Sequence, residues 1–113
     1  MLQILHNPRC GKSRDCLAFL DDSKAQFEIR NYIQDPLSKE ELKDLIQKLG
    51  IKPIALVRQK ETVWIELFKE KKMSNVQIIN ALVKYPILIE RPIVIKGNQA
   101  VIGRDLEKLG KFI

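Results

Sequence analysis

The chain has 113 residues, of which 20 are Lys or Arg and 14 are Asp or Glu, so its formal net charge is +6, and 45% of it is hydrophobic. This length and composition predict one globular domain spanning residues 1–113 and exclude disordered and fibrous chains. No apolar run approaches the roughly 20 residues that cross a membrane. Charges of both signs alternate in residues 39–44 and 66–72, which indicates solvated helix faces rather than a nucleic-acid site.

The cysteine and histidine content limits the possible metal and redox chemistry. Two cysteines and one histidine cannot supply a four-ligand structural zinc site, so no bound metal is expected. The first residues form an apolar run that is too short for a secretory signal and is followed directly by Pro8. We therefore expect a monomer in the reducing cytoplasm with no disulfide framework.

The first third of the chain predicts a β-α-β order. Residues 2–5 form a short apolar run that ends at an Asn-Pro dipeptide, which indicates a strand followed by a turn. Gly11 to Asp22 carries apolar residues at helical spacing between charged ones, which predicts an amphipathic helix. Phe27 and Ile29 then predict a second strand.

Two capping boxes predict the helices of the middle of the chain. Ser38 precedes Glu41 by three residues, and the apolar spacing that follows runs to Gly50, a typical residue just beyond a helix end. Ser74 precedes Gln77 in the same way, and that helix ends before Pro86. Residues 53–57 and residues 62–71 are expected to add shorter helical segments between these two helices.

The last quarter of the chain predicts a hairpin and a terminal helix. Residues 92–95 and 99–102 are rich in β-branched side chains and are separated by Lys96-Gly97-Asn98. A helix over residues 105–111 closes the chain. The complete order predicts an α/β sandwich with a mixed four-stranded sheet and an inserted helical block.

Cys10 is the strongest candidate for a chemically reactive residue. It lies in the predicted turn between the first strand and the first helix, where unpaired backbone N–H groups and the helix dipole stabilise a thiolate. The nearby residues His6, Arg9, Lys12 and Ser13 act in the same direction. We therefore expect the pKa of Cys10 to lie below that of a free cysteine, which makes it a nucleophile at neutral pH.

Cys16 receives the opposite interpretation, because it lies beside the apolar stripe of the first helix. Six helical residues separate it from Cys10, about 9 Å along the axis, whereas a disulfide bridges Cα atoms no more than about 7 Å apart. We therefore expect Cys16 to pack in the core. A thiol that resolves chemistry at Cys10 would then come from another molecule.

A strand, a cysteine at the start of the next helix and a late Arg91-Pro92 step before a strand together resemble the thioredoxin superfamily, in which that proline is cis. Four segments narrow the resemblance to the glutaredoxin-coupled arsenate reductase (ArsC-like) family over essentially the whole chain. They are HNPRCGKSR at 6–14, LVRQ at 56–59, YPILIERPIVI at 85–95 and the Gly103-Arg104 step.

The resemblance implies a role for each matching residue and a set of co-substrates. Cys10 would be the nucleophile, His6 and Ser13 would help to hold its thiolate, and Pro92 would be structural at the site. The implied oxyanion-binding residues are Arg58, Arg91 and Arg104. The implied reaction reduces arsenate to arsenite through a covalent thiol–arsenate adduct, with glutathione as co-substrate, glutaredoxin as partner and no bound cofactor.

Two other functions remain open at this stage. In the first, the same fold and Cys10 serve as a glutathione-linked thiol oxidoreductase of unknown substrate, as in family relatives that end soon after the third arginine, like this chain. In the second, the protein is an RNA-polymerase-binding regulator of the same fold that senses oxidation through a C-x-x-C switch. That switch would need a cysteine at position 13, where this chain has Ser13.

Overall fold

The computed structural model describes residues 1–113, and the chain divides into two compact units. The first unit consists of Met1–Asp35 and Arg91–Ile113, and the second of Pro36–Glu90. The expectation of a single domain over residues 1–113 stays a prediction.

The secondary structure follows the predicted order along the chain. Its elements are β1 (Leu2–His6), α1 (Gly11–Asp22), β2 (Phe27–Asn31), α2 (Lys39–Leu49), α3 (Thr62–Leu67), α4 (Asn75–Lys84), β3 (Ile93–Lys96), β4 (Gln99–Ile102) and α5 (Leu106–Phe112). Two short 3₁₀ segments, Pro53–Leu56 and Pro86–Leu88, stand before α3 and after α4. None of the five helices combines the length and the apolar composition that a membrane crossing requires.

The first unit contains a single four-stranded sheet with the order β2-β1-β3-β4. β1 pairs in parallel with β2, whereas β1 with β3 and β3 with β4 pair antiparallel. The parallel register places His6 opposite Asn31, so β1 and β2 end at the same edge of the sheet. This arrangement confirms the predicted mixed sheet and puts the turn that follows β1 at that edge.

The core of the first unit combines both central strands with α1 and α5. Its buried residues are Leu2, Ile4, Cys16, Leu20, Val94 and Leu109. Leu2 and Ile4 point to one face of β1 because strand side chains alternate, and Cys16 and Leu20 share one face of α1 because they are four residues apart. Each fully buried large apolar side chain contributes about 1.5–3 kcal/mol of stabilisation. The burial of this helix face fixes where α1 begins relative to β1.

The hairpin between β3 and β4 is tighter than its sequence indicates. Lys96 pairs with Gln99, so Lys96 belongs to β3 and only Gly97 and Asn98 form the turn. Gly97 adopts a positive φ of 58°, a conformation that side chains disfavour and glycine accepts readily. Two-residue turns of this kind match the twist of the paired strands, which explains the shorter connection.

The second unit confirms both predicted capping boxes. The Ser38 hydroxyl accepts the backbone N–H of Glu41 at 3.1 Å, and the Glu41 carboxylate accepts that of Ser38 at 3.0 Å. Ser74 and Gln77 form the equivalent pair at the start of α4, at 3.2 and 2.8 Å. α2 ends at Leu49, and the next residue, Gly50, takes a left-handed φ of 67°. Local side-chain chemistry therefore determines where α2 and α4 begin.

Two segments of the second unit differ from their predicted form. The predicted short helix at residues 53–57 is a 3₁₀ segment, Pro53–Leu56. The predicted helix at residues 62–71 ends at Leu67, because Phe68 leaves helical backbone geometry with φ −128°. The Phe68 ring lies 5.5 Å from that of Trp64 and 5.9 Å from that of Tyr85, between ring centroids. Aromatic packing of this kind accompanies the early end of α3.

We predict that Ser38→Ala lowers the free energy of unfolding by about 1 kcal/mol, because it removes the side-chain acceptor at the start of α2. Chemical denaturation measures the change. Gln47→Ala, an exposed substitution near the other end of the same helix, serves as the control and should stay within about 0.5 kcal/mol of the parent. Equal effects of the two substitutions would contradict the role of the capping box.

Candidate active site

Cys10 occupies the residue immediately before α1, in the turn that follows β1. Its backbone is extended, with φ −95° and ψ 123°. The backbone N–H of Cys10 donates to the Asn7 carbonyl at 3.0 Å, which closes the turn. The side chain is half-buried, so the sulfur is partly accessible while it faces the first N–H groups of the helix.

The groups around the Cys10 sulfur act on its pKa in opposite directions. Burial works to raise the pKa of the thiol, because it penalises the charged form. Hydrogen bonds from the backbone N–H of Ser13, the Arg91 side chain and the backbone N–H of Lys12 lower it, as does the positive charge of Arg91. The net result is a pKa below the ordinary thiol value, which is the direction expected from the sequence.

The side chains of His6 and Ser13 contact each other in the interior of the turn. His6 Nδ1 and Ser13 Oγ are 2.7 Å apart, and Ser13 Oγ also accepts the backbone N–H of Asn7 at 3.0 Å. Burial and the positive charge of Arg14 lower the pKa of His6, with hydrogen bonding to Ser13 partly opposing them. The imidazole is therefore mainly neutral at pH 7.

Ser13 acts at the site through both its hydroxyl and its backbone N–H, whereas His6 is linked to Cys10 only through Ser13. The Ser13 hydroxyl is engaged by His6 and Asn7, while its backbone N–H is the group that lowers the pKa of Cys10. His6 is not among the groups that shift the pKa of Cys10. The thiolate-holding role expected of His6 would accordingly pass through the position of Ser13.

Two of the three arginines expected to bind the oxyanion belong to the first unit, and one of them, Arg91, contacts Cys10. Arg91 is 6% exposed, and its side chain hydrogen-bonds the thiol. Arg104 Nη1 donates to the Arg91 carbonyl at 3.0 Å. The Arg91-Pro92 peptide is cis, as the resemblance implies, and the Pro92 carbonyl accepts the Gly103 N–H at 2.8 Å. A buried guanidinium beside a thiolate is a suitable partner for a small oxyanion.

Arg58, the third of these arginines, belongs to the second unit. It follows the first 3₁₀ segment, and its backbone N–H donates to the Leu88 carbonyl at 2.7 Å. Its Nε lies 3.1 Å from a Glu61 carboxylate oxygen, while its buried Nη1 has no hydrogen-bond partner within the protein. Buried donors are normally satisfied, so Nη1 is available to an oxygen of a ligand.

Cys16 lies in the core, as predicted. It is 0% exposed, and burial raises the pKa of its thiol to about 11. A Cβ added at Gly103 would lie 3.2 Å from the Cys16 sulfur, so the sulfur packs directly against the backbone after β4. Cys16 is therefore protonated and inaccessible at neutral pH, and the two cysteines have different chemical properties.

Outside this site the structure offers little that fits the chemistry of Cys10. A cavity of about 440 Å³ lies in the second unit between the segment after α3 and one side of α4, and its lining contains neither cysteine nor arginine. No group of three or more His, Cys, Asp or Glu side chains in residues 1–113 is placed to hold a metal ion.

Two features of the site were not predicted from the sequence. The first is Asn7, which contacts both Cys10 and Ser13 through its backbone. The available signal was the Asn-Pro dipeptide, which marks a turn but does not reveal which groups the turn connects. The direct contact between Arg91 and the Cys10 thiol joins residues far apart in sequence and has no local signal.

Comparisons with known proteins identify relatives along the whole chain. The model of the ArsC family matches residues 5–112. An arsenate reductase of Neisseria meningitidis is 36% identical over 110 residues, 96% of this chain and 94% of that protein. An arsenate reductase of Haemophilus influenzae is 40% identical over 109 residues, covering 92% of this chain and 91% of the relative.

The solved structures agree with the sequence relatives. The structure of an arsenate reductase from Vibrio cholerae superposes with a TM-score of 0.92 at 37% identity, covering 99% of this chain and 97% of that one. The agreement extends over the four-stranded mixed sheet and its helices. It confirms the thioredoxin-like α/β fold that the sequence predicts.

We predict that Arg91→Gln raises the pKa of the Cys10 thiol by about one pH unit, because it removes a hydrogen bond and a positive charge from the thiolate. The rate of alkylation by neutral iodoacetamide as a function of pH measures this midpoint. Cys16 does not contribute to this midpoint, because its pKa of about 11 lies above the pH range in which Cys10 ionises.

Arg9→Ala is the matched control, since Arg9 is exposed next to Cys10 but is not among the groups that shift its pKa. The midpoint for this variant should equal that of the parent. Similar shifts in both variants would attribute the low pKa to overall positive charge instead of the Arg91 contact.

Proposed function

The chain belongs to the ArsC family, and from that membership we propose that it is an enzyme that reduces arsenate to arsenite through the Cys10 thiolate. The observation that carries the proposal is the half-buried Cys10 thiol, whose pKa is lowered by backbone N–H groups and by the buried Arg91 guanidinium. A low-pKa thiol and a guanidinium suited to an oxyanion are thus adjacent. Arsenate is a tetrahedral oxyanion that requires both.

In the first step of the proposed reaction, the Cys10 sulfur attacks arsenic and an arsenate oxygen leaves as water after protonation. The product is a thiol–arsenate adduct in which arsenic is still As(V). Arg91 and Arg104 would bind the remaining oxygens, and guanidinium donors suit them because their fork matches a pair of oxygens. The family resemblance implies the same role for Arg58. Stabilising this charge is the larger part of the catalytic task.

The reduction then requires two thiols from other molecules. Glutathione joins the arsenic through its sulfur as a second arsenate oxygen leaves as water. A glutaredoxin thiolate then attacks the glutathione sulfur, which forms a mixed disulfide and breaks the bond between that sulfur and arsenic. The electron pair of the broken bond stays on arsenic and reduces As(V) to As(III), and water cleaves the remaining bond to Cys10 to release arsenite and the free thiol. Cys16 supports this scheme because it is buried with a pKa of about 11, which leaves Cys10 without an internal resolving thiol.

The same proposal includes the setting in which the protein acts. Thiol chemistry that draws on glutathione requires a reducing compartment, so we place the enzyme in the cytoplasm, as a monomer with no bound cofactor and no membrane or nucleic-acid partner.

A glutathione-linked thiol oxidoreductase is the second candidate function. It is favoured by Arg104, one of whose donors, Nη1, is already occupied by the Arg91 carbonyl. A mixed disulfide at Cys10 needs only the low-pKa thiol and not three free arginines. The RNA-polymerase-binding regulator has less support, because Ser13 occupies the position of the second switch cysteine and is buried against His6.

We predict that Cys10→Ser reduces arsenite production by at least about 1,000-fold, because a serine hydroxyl is not ionised at neutral pH. The assay follows arsenite formed from arsenate with glutathione, glutaredoxin, glutathione reductase and NADPH. Cys16→Ala is the matched cysteine control and should retain turnover within about twofold. Full activity in Cys10→Ser would exclude Cys10 as nucleophile, and a loss in Cys16→Ala as large as that in Cys10→Ser would make Cys16 a resolving thiol.

We further predict that replacing Arg58, Arg91 or Arg104 by Ala raises the arsenate KM or lowers kcat by ~10- to 1,000-fold. The reason is the loss of donors to the charged oxygens. Steady-state kinetics of each variant separates the two effects, with Arg9→Ala as an exposed arginine control. Unchanged kinetics in all three variants would leave the thiol oxidoreductase as the function.

A further inference from the structure

Asn7 is a buried polar residue that connects the parts of the Cys10 turn. It follows β1 directly and is 3% exposed. Its backbone N–H donates to Ser13 Oγ, its carbonyl accepts the Cys10 N–H and its side-chain Oδ1 accepts the Arg9 N–H, each at 3.0 Å. Three polar groups of one residue therefore bond to three different positions around the reactive cysteine.

These bonds define the shape of the turn. The Cys10 N–H bond to the Asn7 carbonyl closes a four-residue turn in which Pro8 holds the second position, where its fixed φ is favourable. The bond from Arg9 to Asn7 Oδ1 fixes the third position, as Asn side chains commonly do in turns. No strand or helix backbone hydrogen bond holds Pro8 or Arg9. Besides the bond from Arg14 Nη1 to the Pro8 carbonyl at 3.0 Å, the hydrogen bonds that shape the turn are those of Asn7.

The shape of the turn determines how well the helix stabilises the thiolate. The N–H groups of Lys12 and Ser13 lower the pKa of Cys10 only when the sulfur stands over the first turn of α1. A hydrogen bond to a charged acceptor weakens steeply with distance and angle. Asn7 joins the turn to α1 through Ser13 Oγ on one side and to Cys10 on the other.

We propose that Asn7 is a positioning residue for the Cys10 thiolate, which it holds over the N–H groups of α1 without touching the sulfur itself. The inference rests on the proposed role of Cys10 as the nucleophile, and it concerns the chemistry of the thiol before any substrate binds. It adds a determinant of reactivity to the residues that the family resemblance implies.

The test measures the Cys10 pKa in Asn7→Ala from the pH dependence of alkylation by iodoacetamide. Loss of the Oδ1 acceptor loosens the turn, so the midpoint should rise by about half to one pH unit, a fraction of the shift that hydrogen bonds to a thiolate produce. Asn7→Ser keeps a shorter acceptor that can bond the same N–H less well, and its midpoint should lie between those of the parent and Asn7→Ala.

Asn31→Ala provides the matched control. Asn31 Oδ1 accepts the N–H groups of Ile33 and Gln34 in the turn after β2, so the substitution removes the same kind of bond away from the thiol. It should leave the Cys10 midpoint unchanged even if it lowers the melting temperature.

A midpoint in folded Asn7→Ala equal to that of the parent would overturn the proposal and leave Asn7 with a structural role alone. If Asn7→Ala does not fold, Asn7→Ser decides, because a raised midpoint supports positioning and an unchanged one overturns it. Alkylation uses neither arsenate nor glutathione, so this result is independent of whether the protein reduces arsenate.

Discussion

The structure of the active region depends on the stabilisation of negative charge on one half-buried sulfur. Burial alone raises the pKa of the Cys10 thiol, so a reactive thiolate requires compensating donors. The donors are two backbone N–H groups that the start of α1 leaves without partners and the guanidinium of Arg91. The site therefore combines a feature that every helix has with one side chain brought from a distant part of the chain.

The two cysteines show how burial and polar contacts give one residue type two functions. Both lie within a span of seven residues, yet Cys16 has no compensating donor and its pKa is raised to about 11, while that of Cys10 is lowered. Cys16 contributes to the apolar core that holds α1 on the sheet. The inert thiol thereby helps to keep the helix in the place where its first N–H groups meet the reactive one.

Burying the Arg91 guanidinium costs electrostatic free energy, and this cost is consistent with an anion-binding function. Burying a guanidinium is unfavourable unless it is paired or hydrogen-bonded. Arg91 is 6% exposed and contacts the Cys10 thiol, whose ionised form supplies the opposite charge, and its carbonyl accepts a hydrogen bond from Arg104. An incoming oxyanion would add negative charge beside these groups, which is the condition that the proposed first step of arsenate reduction needs.

The sequence by itself determined the elements whose signals are local. The capping boxes at Ser38 and Ser74, the left-handed Gly50 and the apolar periodicities act within a few residues, so the boundaries of α2 and α4 and the order of elements along the chain could be predicted. The position of Cys10 before α1 could be predicted for the same reason. The early end of α3 was not, because Phe68 packs against Tyr85, seventeen residues later.

Only the tertiary structure decided which groups act on the thiol. The family resemblance placed His6, Ser13 and three arginines in one candidate site, whereas folding directs the Ser13 hydroxyl to His6 and Asn7 and brings Arg91 to the sulfur. These contacts depend on the pairing of β1 with β3, across some ninety residues of chain, and on side-chain directions set by packing. Local sequence carries no signal for either, because hydrogen bonds and charges act through distances in space.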